Sequence, residues 1–282
     1  MEKIISGIQQ IGIGVSDVHL AWKWYLKYFG TDIKIFDDDS VAELMLPYTG
    51  GVPQKRHAIL AMNMQGGGGF EIWQYKERKP VPPGFEVKIG DFGINMVKIK
   101  AKNVRKAYDF MKNEQLNLLA GIVKDPVGED TFFIRDPFGN IFQIVKSDDW
   151  FKDEKKHTGA TYGAVIGVSD IEKSQVVYGD ILGYDEIIYD ETGQFNDLES
   201  LPGGKTKMRR LLLKHSKPRQ GGFCNLYGES QIELIQVFDK EPKKIFENRF
   251  WGDLGFIHLC FDIKGMHALK EECESKAYPF KV

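Results

Sequence analysis

The sequence predicts an α+β protein that lays down one strand–helix–strand pattern repeatedly. Three observations carry this. Gln9 to Asp17 (QQIGIGVSD) is echoed by Tyr162 to Asp170 (YGAVIGVSD), each an apolar strand that runs into a Ser-Asp helix start. Matched positions recur at near-constant offsets, with Gln10 and Gly163 153 residues apart and both the Glu71/Glu233 and Met96/His258 pairs 162 apart. Self-similarity at a fixed offset marks a duplicated unit. Finally, Phe132, Phe133 and Ile134 lead through Asp136-Pro137-Phe138-Gly139 into the apolar run Ile141 to Val145. Proline fixes φ, glycine permits φ > 0 and the aspartate can bond the local backbone, so this is a turn between two antiparallel strands.

The first round opens with a strand over Ile4 to Val15, followed by a helix whose stripe is Leu20, Trp24, Tyr25 and Tyr28 and whose end is marked by Gly30. Candidate strands follow around Ile33 to Phe36, Ala42 to Leu46, His57 to Met64 and Phe70 to Tyr75. The Gly66 to Gly69 run lacks a following Gly-Lys-Ser/Thr and opens into a strand, so it reads as a hairpin loop rather than a phosphate loop. After Pro80 to Pro83 the pattern restarts with a strand over Gly93 to Ala101 and a helix carrying Val104, Ala107, Tyr108 and Met111.

Lys146 to Lys156 is charged and aperiodic, as a linker would be. The third round has a capping box of Ser169 with Glu172 and strands at Asp185 to Tyr189, Arg209 to Lys214 and Gln231 to Phe238. A fourth opens with Gly255 to Asp262 and a helix carrying Met266, Leu269 and Cys273. The counterpart of Gln143 in that round falls beyond residue 282, so the fourth module is expected to be incomplete, with either a longer natural protein or a disordered tail after Val282.

At 282 residues, with 42% hydrophobic and 28% charged residues and a net charge of −2, the chain is ordinary globular material without a block of like charge. That excludes nucleic acid and membrane as expected partners and leaves a small-molecule ligand. No apolar run approaches the roughly 20 residues that span a bilayer. Met1-Glu2-Lys3 opens straight into a strand, so the cytoplasm is the expected compartment and a monomer or homodimer the expected state. Cys224, Cys260 and Cys273 lack CxxC spacing and read as reduced thiols.

The strand, Asp-Pro-x-Gly-Asn turn and closing strand at Ile134 to Val145, together with Gly255 to Asp262, resemble the vicinal oxygen chelate superfamily. That superfamily includes the glyoxalases, the bleomycin and fosfomycin resistance proteins and the extradiol dioxygenases. The resemblance implies tandem βαβββ modules paired into half-open barrels. It implies a first domain over 1–148 (modules 4–79 and 90–148), a linker over 149–158, and a second domain over 159–282 (module 159–240 and partial module 253–282).

In that superfamily, metal ligands come from the first and last strands of each module. Carried over, the first domain offers Gln10, Glu71, Met96 and Gln143, and the second offers Gly163, Glu233 and His258. Two amides, one carboxylate and a thioether suit a divalent cation poorly. Glu233 and His258 are the better pair, with Glu233 as metal ligand or proton-shuttling base and His258 as ligand to a divalent ion (Zn, Ni, Mn, Fe or Co), if a metal binds at all. Each has a plainer alternative: His258 as a structural histidine, and Glu233 facing solvent. Trp73 and Tyr75 share a face with Glu71, as a ligand-stacking pocket or an aromatic core patch. Arg209 and Arg210 either hold an anionic substrate group or only solubilise the sheet. His57, His215 and the cysteines read as structural.

The resemblance implies a metal-dependent lyase or isomerase acting through an enediolate. The alternative is a non-catalytic sequestering protein of the bleomycin-resistance type. An extradiol dioxygenase is the third reading, and it needs a histidine where this chain has Gly163.

Overall fold

In the computed structural model, which describes residues 2–281, the repeated pattern forms as strands and helices in the expected order. The first unit comprises β1 (Ile4–Gly14), α1 (Val18–Phe29), β2 (Ile33–Ala42), β3 (Gln54–Met62) and β4 (Gly69–Tyr75). The second comprises β5 (Gly93–Ala101), α2 (Val104–Asn113), the short β6 (Asn117–Leu118) and β7 (Val123–Lys124), β8 (Asp130–Arg135) and β9 (Ile141–Lys146). The third comprises β10 (Thr161–Gly167), α3 (Ile171–Gln175) with a π-helical continuation, β11 (Glu186–Gly193), β12 (Met208–Lys214), α4 (Cys224–Tyr227) and β13 (Gln231–Val237). The fourth contributes β14 (Gly255–Lys264) and α5 (Met266–Ser275).

Local chemistry explains most of these elements. Asp17 caps α1 by accepting from Leu20 N, and Gly30 closes it in the left-handed conformation. The buried stripe is Val18, Ala21, Tyr25 and Phe29, while Leu20 stays 58% exposed, so the helix is rotated from the expected face. Asp170, not Ser169, caps α3, by accepting from Lys173 N. The expected strands around Ile33 and Ala42 are one strand, β2, followed by a 3₁₀ turn at Leu46–Tyr48. Asp136 organises its hairpin as the turn chemistry requires, accepting from the backbone N–H groups of Phe138 and Asn140 and from Asn140 Nδ2. It also accepts from Tyr25 OH at 2.6 Å, which ties α1 to the second unit.

Two sheets result, a five-stranded one in the order β14-β1-β4-β3-β2 and a nine-stranded one running β11-β12-β13-β10-β5-β9-β8-β6, with β7 paired to β8. Neither follows the expected division at residues 148 and 159. Within a unit the first strand runs parallel to the last, as β1 to β4 and β5 to β9. Across units first strands pair antiparallel, and here the choice is β1 with β14 and β5 with β10. First and fourth units therefore share one sheet, and second and third share the other. Repeat offsets fix the content of each unit but not which unit pairs with which, because strand pairing between distant segments is decided by whole-molecule packing.

One apolar core, containing Ile11, Ile13, Tyr25, Val97, Ala107, Phe142 and Ile232, joins both sheets and their helices. The expected linker is strapped to the β3–β4 loop, where Gln65 Nε2 donates to Lys156 O and Thr158 O and its Oε1 accepts from Glu154 N and Lys156 N. The Gly66 to Gly69 loop is buried, and a Cβ at Gly67 would sit 1.7 Å from Leu226 O. Close backbone approach is the reason for glycine there.

Candidate functional site

One face of the five-stranded sheet brings together Gln10, Glu71 and His258. Gly12 is the hub: in the strand register it lies opposite Glu71 of β4 on one side and opposite His258 of β14 on the other. Alternation then puts Gln10, two residues away, on the same face. With no side chain at Gly12, the His258 ring lies over β1; a Cβ there would stand 2.3 Å from the ring's Cε1 and 2.4 Å from Nδ1.

Gln10 Nε2 donates to Glu71 Oε2 at 3.0 Å, and His258 Nε2 lies 3.4 Å from the same oxygen. Gln10 Oε1 and His258 Nδ1 are buried without a hydrogen-bond partner among the described residues. Buried polar atoms are seldom left this way, so the pair points to a missing partner. Burial alone would raise the Glu71 pKa, but the hydrogen bond and charge of His258, the Gln10 amide and the Arg56 charge outweigh it and hold it below the usual value.

Aromatic side chains wall the site. Trp251 stacks on His258 with ring centroids 5.3 Å apart, Trp73 meets Trp251 edge-on at 4.7 Å, and Arg56 lies over Trp73 at 5.4 Å. Tyr75 serves a different purpose: its hydroxyl donates to Trp251 O and its ring lies under Arg78 at 4.5 Å, so it anchors the loop that carries Trp251.

By residue type the donor set suits a divalent ion, with the Gln10 amide turned over, because it now presents Nε2 and not Oε1 to Glu71. A carboxylate oxygen, an imidazole nitrogen and an amide oxygen suit a borderline metal such as zinc, nickel, cobalt, manganese or iron. Three protein donors also leave room for substrate oxygens. The first-domain donor set expected from sequence was poor because it joined the wrong units; regrouped by the sheets, Gln10 and Glu71 gain an imidazole in place of Met96.

The other expected residues lie elsewhere. Glu233 and His258 do not share a site, since Glu233 is on β13 in the nine-stranded sheet. Its carboxylate receives Arg210 Nε at 2.7 Å and Lys98 Nζ at 2.8 Å. Arg210 Nη1 also bridges both oxygens of Asp197, at 2.8 and 2.9 Å. Against the cost of burial, Arg210 and then Lys98 push the Glu233 pKa down to about 2. Two fixed cations thus occupy the place a metal would need, and the expected roles of Glu233 as base and ligand are not supported by its surroundings. Met96 packs among Ile89, Phe133, Val165 and Leu198. Gln143 Nε2 donates to Thr131 Oγ1 at 3.2 Å. Gly163 has no room for any ligand, because a Cβ would lie 1.8 Å from Gln231 O. Arg209 is held by Asp190 at 2.7 and 2.8 Å and by Glu172, so its charge is engaged by neighbouring carboxylates.

Gly12, Trp251, Arg56, Lys98 and Asp197 carried no sequence signal of their own. Gly12 stood in the echoed strand, but its role depends on a neighbour 246 residues away in the strand register, His258.

The fold defines a class, that of paired α+β modules. Residues 7–144 match the family model described as Glyoxalase/Bleomycin resistance protein/Dioxygenase superfamily. Solved structures with the same fold include a glyoxalase I mutant from Zea mays (TM-score 0.59, 13% identity, covering 98% of this chain and 80% of that one). Glyoxalase I from Zea mays itself aligns with TM-score 0.53 at 12% identity, with the same coverage. A putative dioxygenase from Bacillus subtilis subsp. subtilis str. 168 aligns with TM-score 0.52 at 12% identity, covering 87% of this chain and 70% of that one. At these identities the likeness is one of fold. No curated protein matches the sequence. No helix among the described residues is long and apolar enough to cross a membrane.

Proposed function

We propose that the Gln10–Glu71–His258 face of the five-stranded sheet is a glyoxalase-like, metal-dependent lyase or isomerase site for a small substrate with vicinal oxygens. The observation that supports this best is the convergence of Gln10, Glu71 and His258 around Gly12, with two buried polar atoms left unsatisfied. These three residues would hold the ion. When bound, the ion would supply Lewis-acid polarisation of the substrate oxygens and stabilise enediolate charge. Glu71, held ionised by its neighbours, suits the part of a permanent anionic ligand. Trp251 fixes the imidazole plane by stacking, and Trp73 extends an apolar wall that excludes water from the reacting oxygens. Arg56, paired with Asp38 at 2.8 Å, places positive charge at the Trp73 face, where an anionic substrate group would lie. One polypeptide supplies all three ligands, so a monomer suffices.

The Trp73–Trp251 wall also favours a second reading, a sequestering protein of the bleomycin-resistance type that binds without turnover. A dioxygenase is disfavoured, since this face offers one imidazole and not two.

The test is metal content by elemental analysis after reconstitution, paired with assays on ketoaldehyde–thiol adducts, coenzyme A thioesters and catechols. The proposal expects about one ion per chain at this face, loss of it in Glu71→Ala and His258→Ala, and metal-dependent turnover. Metal content that both substitutions leave intact overturns the site. Ligand binding that survives chelator, without turnover, assigns the sequestering role instead.

A further inference from the structure

On the opposite face of the same sheet, His19 from the first turn of α1 meets Asp37 of β2 and His57 of β3. One ligand atom from each lies within 4.8 Å of the others. Strand alternation separates this cluster from the chelating face, because Leu60, not His57, shares the face of Glu71. His57 is held between two carboxylates: Nδ1 lies 2.9 Å from Asp39 Oδ1, and Nε2 lies 2.7 Å from Asp37 Oδ1.

A neutral imidazole carries one proton and can satisfy only one of these contacts as a donor. With the proton on Nδ1 toward Asp39, the Nε2 lone pair faces the Asp37 carboxylate, and either a second proton or a metal ion on Nε2 relieves the repulsion. The Asp39 contact is the kind of second hydrogen bond that fixes the tautomer of a metal-bound histidine. Metal bonds of about 2.0–2.1 Å at a tetrahedral angle separate two ligand atoms by roughly 3.3 Å, a small opening from 2.7 Å. The competing cations are Lys34, which pairs with Asp37 at 2.7 Å, and Lys76, which pairs with Asp39 at 3.4 Å. Both are flexible side chains on the solvent side and can swing away.

We propose that His19, Asp37 and His57 form a second site for a divalent transition metal, one that clips the edge hairpin β2–β3 to the start of α1. Two imidazoles and a carboxylate select zinc, nickel, cobalt or copper over magnesium or calcium. The site is independent of the chelating face, and the test keeps the two apart. Zinc binding is measured by equilibrium dialysis on the full chain in a Glu71→Gln/His258→Ala background, which disables the other site. The expected result is about one zinc per chain, lost on adding His19→Ala, a substitution at an exposed helix position that leaves the fold intact. Asp39→Asn is expected to weaken zinc by about 10- to 100-fold through the lost tautomer lock. No zinc in the double variant, or zinc unaffected by both His19→Ala and His57→Asn, overturns the proposal.

Discussion

Gly12→Ala tests the geometry of the chelating face most directly. The added Cβ would fall 2.3 Å from His258 Cε1, 2.4 Å from Nδ1 and 3.0 Å from Nε2. Non-bonded carbons settle at about 3.5–4.0 Å, so the ring must retreat by roughly 1 Å or the strands β1 and β14 must part. Metal ligands tolerate displacements of only about 0.2 Å, so metal affinity is expected to fall by at least the 10- to 100-fold seen for lesser disturbances. Overpacking of this kind also costs about 1–3 kcal/mol of stability. The double-mutant cycle with His258→Ala separates the two effects. In the His258→Ala background the clash disappears, and Gly12→Ala should then be nearly neutral in chemical denaturation while the Gln10–Glu71 face stays without metal. If Gly12→Ala keeps full metal content, or destabilises equally in both backgrounds, His258 does not lie over β1 and the reasoning fails.

Three further outcomes follow from the same structure. Removing one partner of the Glu233–Lys98–Arg210 cluster, as in Arg210→Met, leaves a buried charge unpaired and should cost about 3–5 kcal/mol in urea unfolding, with metal content unchanged. Both Glu71 and Glu233 have depressed pKa values, so the stability they contribute is present above the ordinary carboxylate range and lost as pH falls through their folded values. For Glu233 that window runs from about pH 4.5 down to about 2, and Glu233→Gln should flatten the acid limb of stability there. Tyr25→Phe removes a buried 2.6 Å bond to Asp136 and should lower stability by about 1–3 kcal/mol without touching metal binding, because that contact joins units rather than lining the site.

Much of the candidate site was legible residue by residue. Gln10, Glu71 and His258 each stood out as a polar side chain in an apolar strand at a repeated position. Their grouping was not legible. Sequential pairing put Gln10 and Glu71 with Met96, and His258 with Glu233, whereas the sheets join β1 to β14 and β5 to β10. The same limit explains the smaller misses. Leu20 fits a helical stripe as well as Val18 does, and only the packing of α1 against both units decides which face is buried.

The sequence by itself determined the elements: strands by their apolar alternation, the first helix start by its Ser16-Asp17 pair, the hairpin at Asp136 by turn chemistry, and the repeat by its near-constant offsets. These are short-range effects, set by backbone sterics and by bonds within a few residues. Tertiary structure alone decided which units share a sheet. Edge-to-edge strand pairing uses backbone hydrogen bonds that any strand can offer, so specificity comes from how the two faces pack. That packing brought His258 over Gly12 and sealed Glu233 between Lys98 and Arg210. It made a face of one sheet a metal-binding candidate and filled the matching place in the other sheet with its own charges.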